Sequence, residues 1–120
     1  MKGPYLLESK TIDNKIKQGE IGNYHLGSYK NEIFNVLYIG RSDICLNSSL
    51  KDHIDEDGFE SCTHFKYIIQ TSVTDAYKKE CQDFHTYHGT KGNLNINHPA
   101  QPSGFGKRIP CPVSDCEESK

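Results

Sequence analysis

The chain has 120 residues, 34% of them hydrophobic, with no tryptophan and a formal net charge of −2. That length supports one domain with one modest core and a large polar surface. The charge argues against a protein that coats nucleic acid without specificity, because neutralising phosphates takes clustered Lys and Arg, and no apolar run comes near the ~18 residues of a membrane span.

Residues 1–19 mix Lys, Asp, Asn and Gln and read as a polar N-terminal extension. Within it the spacing of Ile12 and Ile16 suits a short helix, and the composition suits disorder as well. The opening MKGPYLLESK lacks the apolar centre of a secretory signal. Ile21 to Tyr29 alternates Tyr24 and Leu26 with polar neighbours, as a half-buried strand does. Lys30-Asn31-Glu32 turns the chain into a second strand beginning at Phe34. The two strands make an antiparallel hairpin, with Tyr24 and Tyr38 on neighbouring strands. Gly40 stops the second strand. Arg41-Ser42-Asp43 makes a polar turn with Asp43 as N-cap, and Leu46, Leu50, His53 and Ile54 follow at helical spacing. Tyr38 and Arg41 thus stand near a helix N-terminus, a place that suits anions.

Asp55-Glu56-Asp57-Gly58 ends that helix as a solvated acidic loop. Thr63 to Thr71 is a third strand with Phe65, Tyr67 and Ile69 on one face. Ser72 or Thr74 caps a helix from Asp75 to about Tyr87. Its buried stripe is Tyr77, Cys81, Phe84 and His88, with Glu80 on an adjacent row. Beyond Gly89 the pattern dissolves into turns and Gly/Pro-rich loop. Strand, strand, helix, strand, helix predicts an α+β fold: a small antiparallel three-stranded sheet flanked by helices. It spans residues 20–102, and a Cys-containing tail follows at 103–120.

The five cysteines are Cys45, Cys62, Cys81, Cys111 and Cys116. An odd count with no signal peptide points to free or metal-bound thiols in a reducing compartment, cytoplasmic or nucleoid-associated, and not to secretion. Four residues separate Cys111 from Cys116, which suits a thiolate hairpin, and a zinc site needs about four ligands. His85, His88 and His98 are the candidates to complete one. Cys81 is the lesser partner, because it lies on the buried stripe. A pair of unrelated or redox-labile tail cysteines is the competing reading.

Gly22-Asn23-Tyr24, Tyr38-Ile39-Gly40, His53, Glu80 and Asn95 stand in the order of the GIY-YIG nuclease motifs. The chain resembles that family over roughly residues 20–102. The first motif is a variant and the second a full match. The resemblance implies a DNA endonuclease that hydrolyses phosphodiester bonds with Mg²⁺ or Mn²⁺, and no residue of the chain sets RNA aside. It implies that Tyr24 or Tyr38 takes or relays a proton from water, although a free phenol has a pKa near ~10 and needs help to do so. It implies that Glu80 holds the ion, that Asn95 orients Glu80 or the backbone, and that His53 carries a proton. Arg41 would add charge at the phosphorus, and Asp43 would be an outer partner. One departure matters. The family carries an Arg four residues before the His, and this chain has Ser49 there, whose hydroxyl brings no charge.

Such a site should gather Tyr24, Tyr38, Arg41, Glu80 and Asn95 on one concave face. Glu80 and Tyr38 on opposite sides of the sheet would make the nuclease reading, as a site on one face, wrong. A first rival is a catalytically impaired domain of this type that binds nucleic acid or a protein partner. A second is a small zinc-stabilised interaction module.

Overall fold

The computed structural model describes residues 1–104 and 106–120. Its elements are β1 (Lys2–Leu6), α1 (Ser9–Lys15), β2 (Gly22–Lys30), β3 (Ile33–Ser42), α2 (Leu46–Asp52), β4 (His64–Ile69) and α3 (Val73–Tyr87), with a terminal 3-10 turn, Glu117–Ser119. The class is α+β, as the pattern predicts. The sheet, however, has four strands rather than three, all antiparallel, in the order β1-β4-β2-β3. The added strand, β1, sets Tyr5 opposite Phe65 and Leu6 opposite His64. Gly3 and Pro4 lower its strand propensity, and a proline is tolerated because β1 is an edge.

The hairpin between β2 and β3 closes on Lys30 and Ile33. Asn31 and Glu32 between them both have positive φ (53° and 65°). That is the two-residue turn whose twist matches the strands.

Alternation along the strands sorts the side chains onto two faces. Tyr24, Leu26, Phe65 and Tyr67 join Ile12, Ile16, Leu46 and Leu50 in one buried cluster. The helices α1 and α2 therefore cover this face. Ile12 and Ile16 are 0% and 2% exposed, so residues 1–19 are integral to the core rather than an extension of it. Burying two such side chains contributes about 3–6 kcal/mol before entropy is counted. The two helices are tied together by buried Asn47, whose Nδ2 donates to Asp13 (3.0 Å) and to the Ile16 carbonyl (2.9 Å).

The opposite face belongs to α3. Ser72 caps this helix by accepting from the Asp75 N–H at 3.1 Å, as the spacing predicts. Buried Asn23 on β2 donates to the Ala76 carbonyl (2.8 Å), and His25 meets Asp83 at 2.8 Å. Along α3, Tyr77, Cys81 and Phe84 are buried, but His88 is exposed past the helix end and stacks on Phe84 at 4.6 Å. The tail returns to this helix: Ile109 and Cys111 pack on Tyr77 and Cys81. No described helix is long and apolar enough to cross a membrane.

Candidate active site

The residues expected to act together fall into two groups, one on each side of β3. On the α1/α2 side, the Tyr24 hydroxyl meets His53 Nε2 at 2.8 Å, and His53 Nδ1 meets Glu56 Oε2 at 2.5 Å. An ionised Glu56 can only accept, so Nδ1 carries the proton and Nε2 accepts from the phenol. Tyr24, His53 and Glu56 thus form one hydrogen-bonded chain. Tyr38 lies beside it, with ring centroids 6.4 Å from Tyr24 and 5.2 Å from His53. Phe59 closes the group by stacking on His53 at 5.0 Å. Tyr24 and Tyr38 are brought together because β2 and β3 pair with Tyr24 opposite Gly40.

Neither phenol is activated by a nearby cation. Burial first, then the charges of Tyr38, Glu80 and Glu56, push Tyr24 well above the ordinary tyrosine value. Tyr38 is raised by burial, then by Glu80 and Glu56. A phenol so placed holds its proton at neutral pH. His53, not a free phenolate, is the group in this chain with a lone pair to receive one.

On the α3 side, Arg41 is gripped by two carboxylates. Its Nη1 donates to Glu80 Oε1 at 2.5 Å, and its Nε and Nη2 donate to the two oxygens of Asp43 at 2.9 and 3.2 Å. Nη2 also donates to the Ala100 carbonyl (2.7 Å), and the guanidinium lies over the Tyr77 ring, 5.1 Å from its centroid. Arg41 and Glu80 side chains are only 10% and 13% exposed. Burial works against the Arg41 charge, and Asp43 and Glu80 outweigh it, so its pKa is raised. At Glu80 burial wins over the pull of Arg41, and the carboxyl lies above its ordinary value.

Two expectations at the turn are corrected here. Asp43 is not the N-cap of α2: Cys45 holds that position, and the Ser42 hydroxyl accepts from its N–H (3.0 Å) while Asp43 turns to Arg41. The guanidinium likewise points to α3 rather than to the start of α2. Ser49 lies half-buried on α2 and stands beside Ser48 in a shallow pocket with Arg41 and Asp43.

Asn95 stands at the outer edge of β3. Its Oδ1 accepts from the Ile39 N–H (3.0 Å) and its Nδ2 donates to the Ile39 carbonyl (2.9 Å). Leu94 adds an N–H bond to the Leu37 carbonyl (2.7 Å). Asn95 therefore orients backbone, in the middle of Tyr38-Ile39-Gly40, and does not touch Glu80.

A single concave face is not what forms. Tyr38 and Arg41 are three residues apart on one strand and project from opposite faces, so Tyr38 and Glu80 lie on opposite sides of the sheet. The two groups are nonetheless within electrostatic reach of each other, since the charge of Glu80 raises both Tyr24 and Tyr38. Glu80 is the charged group that raises Tyr38 most.

Sequence reading missed four participants. Glu56 follows His53 by three residues, a helix-turn spacing that signals the contact. Phe59 carries no signal of its own. His25 and Asp83 form a second buried pair, further along the α3 face, which Lys79 completes at 3.0 Å from Asp83.

For a divalent ion, Glu80 offers one oxygen without a hydrogen-bond partner among the described residues, the other being held by Arg41. A single carboxylate suits Mg²⁺, which keeps most of its waters. A separate group of four ligand-type side chains, His85, His98, Cys111 and Cys116, lies beyond the C-terminal half of α3, with all ligand atoms within 4.8 Å of one another. His88 and Cys81 are outside it, and burial pushes the Cys81 thiol up to about 12.

No protein-family model, no curated protein and no solved structure matches this chain.

Proposed function

We propose that this domain is a GIY-YIG-type endonuclease that hydrolyses DNA phosphodiester bonds with Mg²⁺ or Mn²⁺ in a reducing compartment. The observation that carries the reading is that the edge strand β3 has a Tyr24–His53–Glu56 proton relay on one side and a buried Arg41–Glu80 pair on the other, with the Glu80 charge felt at both tyrosines. The relay supplies a base: His53 Nε2 draws the proton of Tyr24, whose oxygen can take one from an attacking water. Glu56 stabilises the imidazolium that results. Tyr38 orients the water or phosphate beside the relay. Arg41 supplies the positive charge that Ser49 does not. Asn95 fixes the backbone of Ile39 and so the spacing between Tyr38 and Arg41. A divalent ion on Glu80 would polarise the phosphate and stabilise the leaving oxygen.

The separation of Tyr38 and Glu80 across the sheet is the outcome that defeats the one-face nuclease site expected from the sequence, and what is proposed in its place is a different arrangement, a site astride an edge. It is tested by Mg²⁺-dependent nicking of supercoiled plasmid, which Glu80→Ala should abolish.

A second reading has its own observation. Four of the five N–H donors of Arg41 are directed at Glu80, Asp43 and Ala100, and Ser49 offers no substitute cation. A domain with that constraint binds nucleic acid or a protein without cutting. Binding of plasmid with no metal-dependent nicking would support it.

A further inference from the structure

We infer that His85, His98, Cys111 and Cys116 form a tetrahedral zinc site that fastens the C-terminal tail to α3 and to the loop carrying Asn95 and Ala100. This inference does not rest on the nuclease reading.

The chemistry of the set comes first. Two thiolates and two imidazoles are a common zinc complement, and two thiolate charges neutralise the ion, which suits a partly buried position. Thiolate ligands also select zinc over magnesium or calcium. Bond lengths of about 2.0–2.3 Å place tetrahedral ligand atoms roughly 3.3–3.8 Å apart. The four atoms here lie within 4.8 Å of one another, a small contraction away.

Two independent observations point to a ligand. Nε2 of His85 and Nε2 of His98 are both buried and have no hydrogen-bond partner among the described residues. Buried polar atoms are nearly always paired, so two such atoms on facing rings 5.4 Å apart need an explanation. In addition, His98 Nδ1 lies 3.1 Å from the Pro99 carbonyl. A carbonyl only accepts, so Nδ1 bears the proton and the Nε2 lone pair faces the cluster. This is the backbone contact that orients metal-bound histidines.

The cysteines are arranged to match. Neither is in a disulfide. The Glu118 N–H donates to Cys116 Sγ at 3.4 Å, and the Cys111 N–H donates to the Glu118 carbonyl at 2.9 Å. The segment from Cys111 to Glu118 is thus folded into a knuckle that presents both sulfurs to the two histidines.

Three parts of the chain meet at this point: α3 through His85, the loop through His98, and the tail through both cysteines. Ala100, which accepts from Arg41, is two residues from His98. Zinc would therefore fix one wall of the Arg41 pocket without touching it.

The test uses the whole chain, purified in reductant. Zinc is measured by elemental analysis. The chain is then stripped with a chelator and titrated with Co²⁺, whose visible spectrum reports tetrahedral geometry and whose near-ultraviolet charge-transfer band reports bound thiolates. The native chain should carry one zinc per molecule and give the tetrahedral thiolate spectrum, and Cys45→Ser should do the same. Cys111→Ser and His85→Ala should lose both signals. Cys116→His, which keeps a ligand, should still bind Co²⁺ with about half the charge-transfer intensity. Chelation of the native chain should speed tryptic cutting at Lys107 or Arg108 at least several-fold. A native chain without zinc whose Co²⁺ spectrum is octahedral would overturn the inference. So would an undiminished charge-transfer band in Cys116→His.

Discussion

Tyr24 and Gly40 face each other across β2 and β3, and the Tyr24 ring fills the space that a side chain at Gly40 would need. A Cβ there would lie 2.5 Å from Tyr24 Cζ and 2.6 Å from its hydroxyl oxygen. Gly40 is therefore required for room, not for a special backbone angle. Gly40→Ala must push the phenol away from His53. The expected cost is about 1–3 kcal/mol of stability, as for other overpacked sites, together with loss of nicking. Urea unfolding and the plasmid assay check the two parts. Wild-type stability in Gly40→Ala would show that Tyr24 can move freely and that the relay is not held in place.

Arg41 should be costly to remove. Arg41→Ala leaves Glu80 and Asp43 without the partner that justifies their burial, and breaking such a pair costs about 3–5 kcal/mol. The double variant Arg41→Ala/Glu80→Gln should recover part of that loss, because one stranded charge is gone. A double-mutant cycle by urea unfolding gives the coupling. Strict additivity of the single changes would mean that the guanidinium and the carboxylate do not act as a pair.

Asn95 substitutes for a neighbouring strand. Asn95→Ala removes two hydrogen bonds to Ile39, each worth about 0.5–1.5 kcal/mol net. Asn95→Asp keeps the acceptor but sets a carboxylate oxygen against the Ile39 carbonyl, so it should be no better. Amide hydrogen exchange at Ile39 should quicken in both variants. Unchanged protection there would assign the Ile39 N–H another partner.

The His25–Asp83 pair gives the fold an acid limit. Burial pushes Asp83 upward, and the hydrogen bonds and charges of His25 and Lys79 outweigh it, so its pKa lies below the ordinary 3.8. A carboxyl depressed in the folded state stabilises the fold above its unfolded pKa. That contribution is lost as pH falls through the folded value. The urea midpoint should therefore drop below about pH 4. Asp83→Asn should be less stable at neutral pH and should decline less steeply in acid. An acid decline as steep as the native chain's would place the sensitivity elsewhere.

The hairpin, both main helices and the capping Ser72 were legible because period-two and helical spacings survive in β2, β3, β4 and α3. The strand Lys2–Leu6 was not, since Gly3 and Pro4 mask a segment whose pairing depends on Tyr5 meeting Phe65. Residues 1–19 look polar because Ile12 and Ile16 are their fully buried side chains, with Tyr5 and Leu7 packed against the same cluster while partly exposed. At the site, Tyr24 and Tyr38 came together because the expected hairpin pairs their strands, and the His/Cys set of the tail was legible by residue type alone. The division across the sheet was legible in principle: residues 38 and 41 differ by an odd number in a strand. What no spacing rule gives is the partner set of Arg41, because Glu80 and Ala100 reach it only through the packing of α3 and the closing loop.

The most direct test is nicking of supercoiled plasmid in Mg²⁺ by the native chain, Glu80→Ala and Ser49→Arg side by side. The edge-strand site predicts that the native chain nicks, that Glu80→Ala does not, and that Ser49→Arg is at least as active as the native chain. A silent native chain contradicts it. If Ser49→Arg then cuts, the fold is a nuclease fold that has become a binder, and if none of the three cuts, hydrolysis is not what this site does.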